Sequence, residues 1–142
     1  MNFNESGLNL IKSFEGCKLQ AYQDQKGIWT IGFGCTHHVA QGLCISQDEA
    51  DERLKEDIQS TVEIVRNYIL PHQINDNQFS ACVCLAFNIG VGNFRTSTCL
   101  NCIKMGNLND AANAILAWNK VNGEVDPGLA RRREAEKALF LS

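Results

Sequence analysis

No stretch of this 142-residue chain approaches the eighteen or so consecutive apolar residues of a membrane-spanning helix. Stable insertion into a membrane is therefore not expected. The opening residues, MNFNESGLN, have neither the basic start nor the apolar core of a secretory signal, so nothing there is expected to direct export. Positive charge is not in excess. A net charge of -3 and a pI of about 5.6 argue against general attraction to nucleic acid or to anionic membranes. Repeats, low-complexity tracts and glycine-rich phosphate loops are all missing. A metal-binding pattern is missing as well. Cys99 and Cys102 form one C-x-x-C pair with no second pair at zinc-finger spacing, while His37 and His38 are adjacent and His72 is isolated. No metal or organic cofactor is expected.

The seven cysteines are many for a chain this short, and their odd number leaves at least one unpaired. The favoured reading is of small buried hydrophobes with reduced thiols; a disulfide and a metal or redox site are the alternatives. With 44% hydrophobic and 20% charged residues, the composition is that of one soluble domain with a real core.

Local pattern changes most sharply between Phe14 and Gly34. Leu8, Ile11 and Phe14 recur at three-residue spacing, one apolar stripe of a short helix. Gly16 is expected to end it by entering the left-handed region. Glu15 then sits in the last turn beside unpaired carbonyls, where the negative end of the helix dipole favours a protonated carboxyl. That suits a general acid. Lys18 to Gln23 and Ile28 to Phe33 read as two strands joined by a turn at Asp24, Gln25, Lys26 and Gly27. Asp24 lies at the hydrated rim of this hairpin, where an ionised carboxylate is expected. Two carboxyl groups held in opposite protonation states suit glycosidic bond cleavage, and Thr30 on the second strand can hold a water between them.

Glu15, eight intervening residues, Asp24, five more and Thr30 resemble the catalytic spacing of the phage-type lysozymes, glycoside hydrolase family 24. TIGFG (Thr30 to Gly34) is similar to that family's TIGYG or TIGIG strand. AFNIGVGNF (Ala86 to Phe94), STCL (Ser97 to Leu100) with MGN (Met105 to Asn107), and GLARRREAE (Gly128 to Glu136) are similar to family segments in the same order, so the resemblance covers nearly the whole chain. It implies that Phe87, Asn88 and Ser97 contact saccharide and that one of Arg131, Arg132 and Arg133, best matched by Arg132, approaches the acid and modulates it. Where family members commonly carry a histidine after this strand, the chain has Cys35.

Further along, Ser46 and Glu49 make a capping box for a helix whose Ala50, Leu54, Ile58, Val62 and Val65 recur at helical steps to Ile69, before Pro71. Asn75 and Gln78 open another, FSACVCLAFNIG, that is apolar nearly all round and so reads as a core helix. Thr96 or Ser97 caps a short helix to Met105, a further helix runs from about Leu108 to Asn119, KVNGEVD is a loop, and Asp126 with Pro127 launches the last helix through Leu139.

Several helices with one hairpin make an α+β, lysozyme-like fold. The expected domain is single, 1–142, with a hairpin lobe at about 15–45, a linking helix at about 46–70 and a helical lobe at about 75–142 packed with the N-terminal helix. The resemblance implies a muramidase that hydrolyses the β-1,4 bond between N-acetylmuramic acid and N-acetylglucosamine in bacterial peptidoglycan. Inversion of configuration is implied, with Glu15 as acid and Asp24, helped by Thr30, activating water. It further implies a monomeric phage endolysin, made in the host cytoplasm and reaching the wall after release through holin lesions. The alternatives left open by the residues are a domain that binds peptidoglycan without cutting it and a thiol-rich cytosolic metal or redox protein.

Overall fold

A computed structural model describes all residues 1–142. They form two compact units, Ile11–Ser60 and Met1–Leu10 with Thr61–Ser142. Two helices, α1 (Glu5–Phe14) and α2 (Gln47–Ile69), carry the chain across the boundary.

In the unit Ile11–Ser60, β1 (Lys18–Gln23) and β2 (Trp29–Gly32) pair antiparallel, with Tyr22 opposite Thr30 and Gln23 opposite Trp29. A bulge separates these pairs from Lys18 opposite Gly32. β2 forms because Trp29, Thr30 and Ile31 suit a pleated, half-buried surface, and it is buried from Thr30 to Gly32. Glycine is required at position 32. Its φ is +65°, a left-handed conformation in which any other side chain is strained. Beyond the hairpin, the expected loop from Cys35 to Ile45 returns to the outer edge of β1, where Ala21 N–H donates to Leu43 O at 2.9 Å and Ile45 N–H to Leu19 O at 2.9 Å. Ser46 then caps α2, its hydroxyl accepting from Glu49 N–H at 3.1 Å. The stripe Ala50, Leu54 and Ile58 of α2 is buried, as its spacing predicts.

The other unit is built around α3 (Asp76–Ile89), buried without interruption from Phe79 to Ala86. Its capping box is complete: Asn75 Oδ1 accepts from Gln78 N–H at 2.7 Å, and Gln78 Oε1 accepts from Asn75 N–H at 2.9 Å. The first half of α1 lies against α3 so closely that a methyl group on Gly7 would fall 2.9 Å from Ser80 Cβ. After α3 come α4 (Val91–Arg95), α5 (Thr98–Lys104), α6 (Leu108–Ile115) and α7 (Pro127–Leu141), with α7 against α3 and α6 against both α5 and α7. Phe79, Phe94 and Phe140 fill the interior, each burial contributing about 1.5–3 kcal/mol.

Three local expectations need correction. Gly16 does not adopt a positive φ. α1 instead stops at Phe14, with Glu15 N–H still bonded to Ile11 O at 2.9 Å, and the chain then enters β1. The helix expected to reach Asn119 ends at Ile115, where the bonds of Leu116, Ala117 and Trp118 tighten to the i-3 carbonyl and stop the α ladder. Nor is KVNGEVD a plain loop. β3 (Lys120–Val121) and β4 (Glu124–Val125) pair across Asn122 (φ 52°) and Gly123 (φ 82°), the positive φ pair that a two-residue hairpin turn requires.

Candidate active site

Glu15, Asp24 and Thr30 all belong to the unit Ile11–Ser60. Glu15 is half-buried and directly follows the end of α1, so its carboxyl stands at the carbonyl end of that helix. Asp24 closes the hairpin turn. Its Oδ1 accepts from Lys26 N–H at 2.8 Å and from Ile28 N–H at 2.9 Å, while its backbone N–H donates to Ile28 O at 2.9 Å. These bonds orient the carboxylate through Oδ1. Thr30 is buried, and its hydroxyl donates to the same Ile28 carbonyl at 2.9 Å. Ile28 thus joins Asp24 to Thr30. With its proton committed to that carbonyl, the Thr30 oxygen is left to accept.

Phe87, Asn88, Ser97 and Arg132 belong to the other unit. Phe87 and Asn88 lie in the last turn of α3, where burial gives way to exposure: Phe87 is half-buried and Asn88 exposed. Ser97, expected at the saccharide, is buried and caps α5. Its hydroxyl donates to Phe94 O at 2.7 Å and accepts from Leu100 N–H at 3.2 Å. Arg132 is buried too, its Nε 3.6 Å from Glu136 Oε2.

One inward arginine is expected of the run Arg131 to Arg133, yet α7 buries two together with Glu136. Arg133 Nε lies 2.6 Å from Glu136 Oε1, and Nη2 donates to Glu136 Oε2 at 3.0 Å. The same guanidinium donates to Asn88 Oδ1 at 2.9 Å and to Trp118 O at 3.2 Å. The signal was present as Arg132-x-x-x-Glu136 and Arg133-x-x-Glu136, spacings that share one helix face. Burial pushes the Glu136 carboxyl up to about 7, opposed by the two arginines, and lowers Arg133 against the pull of Glu136. A cavity of about 500 Å³ beside this cluster is lined by Asn88, Asn93, Trp118, Lys120 and Arg133 among others. Another, of about 520 Å³, lies in the hairpin-bearing unit beside His37, Arg53 and Asp57. No set of three histidine, cysteine or acidic side chains is placed to hold a metal ion, and all seven cysteines are free thiols.

The muramidase domain of SpmX from Asticaccaulis excentricus superposes with a TM-score of 0.90 at 38% identity, over 99% of this chain and 98% of that one. A mutant of P22 lysozyme superposes with a TM-score of 0.92 at 38% identity, over 100% and 99% of the two chains. The fold is lysozyme-like, mixed α+β with helices dominant. The endolysin of Acyrthosiphon pisum secondary endosymbiont phage 1 is 42% identical over 100% of this chain and 99% of its own length. The chain spans 55% of the endolysin of Bacillus phage B103, at 40% identity. The phage lysozyme family model matches residues 12–136, and the chain belongs to that family.

Proposed function

We propose that this phage lysozyme is a muramidase in which Glu15 protonates the leaving oxygen of the β-1,4 bond between N-acetylmuramic acid and N-acetylglucosamine. Asp24 takes a proton from water attacking the opposite face of the sugar, and the Thr30 oxygen accepts a hydrogen bond from that water. One observation carries this assignment. Asp24 Oδ1 is held by the backbone amides of Lys26 and Ile28, and the Thr30 hydroxyl is tied to the Ile28 carbonyl, so both groups are anchored on one residue of the hairpin, with the second carboxylate oxygen and the hydroxyl oxygen left to accept. Such preorganisation serves a positioned water better than a mobile side chain would. Phe87 offers an apolar face and Asn88 an amide to saccharide, while Arg132 modulates the acid through its charge.

Single displacement inverts the anomeric carbon. Proton NMR of fresh digests of peptidoglycan is expected to show the α-anomer of reducing N-acetylmuramic acid first; the β-anomer first would overturn the water-activating role of Asp24. The protein acts as a monomer, so light scattering is expected to give a mass near 15.8 kDa, and a dimer mass would contradict this. No helix is long and apolar enough to cross a membrane, and the route proposed to the wall is release through lesions made by a holin. Expression inside a Gram-negative cell is expected to cause lysis only when a pore-former is present. Lysis without one would show that the chain reaches the wall unaided.

A further inference from the structure

Arg133 and Glu136 have no part in the chemistry assigned above, yet both are fully buried, which is costly for charged groups. The arrangement compensates by pairing the guanidinium with the Glu136 carboxylate and giving it three hydrogen-bond acceptors, Glu136 Oε2, the Trp118 carbonyl and Asn88 Oδ1. A guanidinium has donors only. Asn88 can therefore meet Nη2 only through its oxygen, because the reversed amide would set two donors face to face. Its NH2 group is what remains to be offered elsewhere, and Asn88 lines the cavity that also contains Trp118 and Lys120.

We propose that Arg133, braced by Glu136, is a positioning residue that locks Asn88 as a hydrogen-bond donor at the wall of this cavity, so that the site selects an acceptor oxygen of the glycan, the acetamido carbonyl. The inference rests on the muramidase reading above and goes beyond it by fixing the direction of one contact. Lysine could not substitute. An ammonium group lacks the planar fork that reaches the carboxylate, the carbonyl and the amide together. Asn88 touches the sugar; Arg133 and Glu136 act only through it.

The test combines kinetics on purified peptidoglycan with an NMR titration that needs no turnover. In 15N-labelled protein, the Asn88 side-chain NH2 resonances are expected to shift on adding the trimer of N-acetylglucosamine. Asn88→Asp keeps an acceptor for Arg133 and should keep the wild-type melting temperature, but it turns an acceptor toward the cavity. KM is then expected to rise about tenfold with kcat within about twofold, because the lost contact is made equally in the bound and transition states. Arg133→Met should raise KM similarly, and adding Asn88→Ala to it should change KM no further, since the two residues act as one unit. An unchanged KM in Asn88→Asp, additive effects in the double variant, or an Asn88 amide that ignores the trimer would each overturn the proposal. If Arg133→Met fails to fold, Asn88→Asp and the titration still decide. A wild type that binds the trimer through Asn88 but releases no muropeptide would overturn the muramidase reading while supporting this one.

Discussion

Glu136→Gln tests whether burial or the two arginines govern the charge at the centre of α7. In the folded chain the carboxyl is pushed up to about 7, against 4.5 for the ordinary group. Both states hold the proton below pH 4.5. Between 4.5 and about 7 the folded chain keeps a proton that the unfolded chain releases, so stability falls as pH rises through that window and is fully lost above it. At about 1.36 kcal/mol per pH unit, the loss is about 3 kcal/mol, or roughly 10 °C in Tm for a domain of this length. Arg132 and Arg133 on α7, with Cys82 and Cys84 on α3, face the same carboxyl, and all four remain in the variant. Thermal melts of both proteins followed by circular dichroism from pH 4.5 to 8 isolate Glu136 by difference. The wild type is expected to match or exceed Glu136→Gln at pH 4.5 and to lose ground steadily toward pH 8. Parallel curves would refute the reasoning. So would a wild type that gains on the variant with rising pH, because then the arginines hold the carboxylate ionised and outweigh its desolvation.

Asn75→Ala removes the oxygen that accepts from Gln78 N–H and is expected to cost about 1 kcal/mol, read as a lower midpoint in urea. Gly7→Val would force side-chain atoms into a gap where even a methyl group meets Ser80 Cβ at 2.9 Å, so about 1–3 kcal/mol should be lost in the same assay. An unchanged midpoint in either variant would contradict the packing described for α3.

Where one physical signal dominated, the sequence was easily read. The stripe Ala50, Leu54, Ile58, Val62 and Val65 produced a helix because every member is buried, and Asn75 with Gln78 made both halves of the cap that their spacing suggests. The hairpin turn at Asp24 was legible because an aspartate can bond the backbone ahead of it. Elsewhere two signals competed. Asn122-Gly123 favours a tight turn, but the flanking strands are only two residues each and too short to show alternation. Asn113 to Asn119 keeps a helical composition after the hydrogen bonds have tightened, so composition overran the true end at Ile115. Gly16 suits a left-handed conformation that the chain does not use, since a helix can also stop where an adjoining strand takes over. The Arg133 and Glu136 pair was obscured for another reason. Three consecutive arginines resemble a solvated face, and only tertiary packing against α3 decides which of them turn inward.

The central claim is that Glu15 is the acid that cleaves the glycan. Incubating purified peptidoglycan with wild type and with Glu15→Gln, and identifying the fragments by mass and reducing-end analysis, tests it most directly. Muropeptides ending in reducing N-acetylmuramic acid are expected from the wild type, with release by the variant lower by a factor of at least about 100. Equal release by both proteins would contradict the account and place the acid elsewhere.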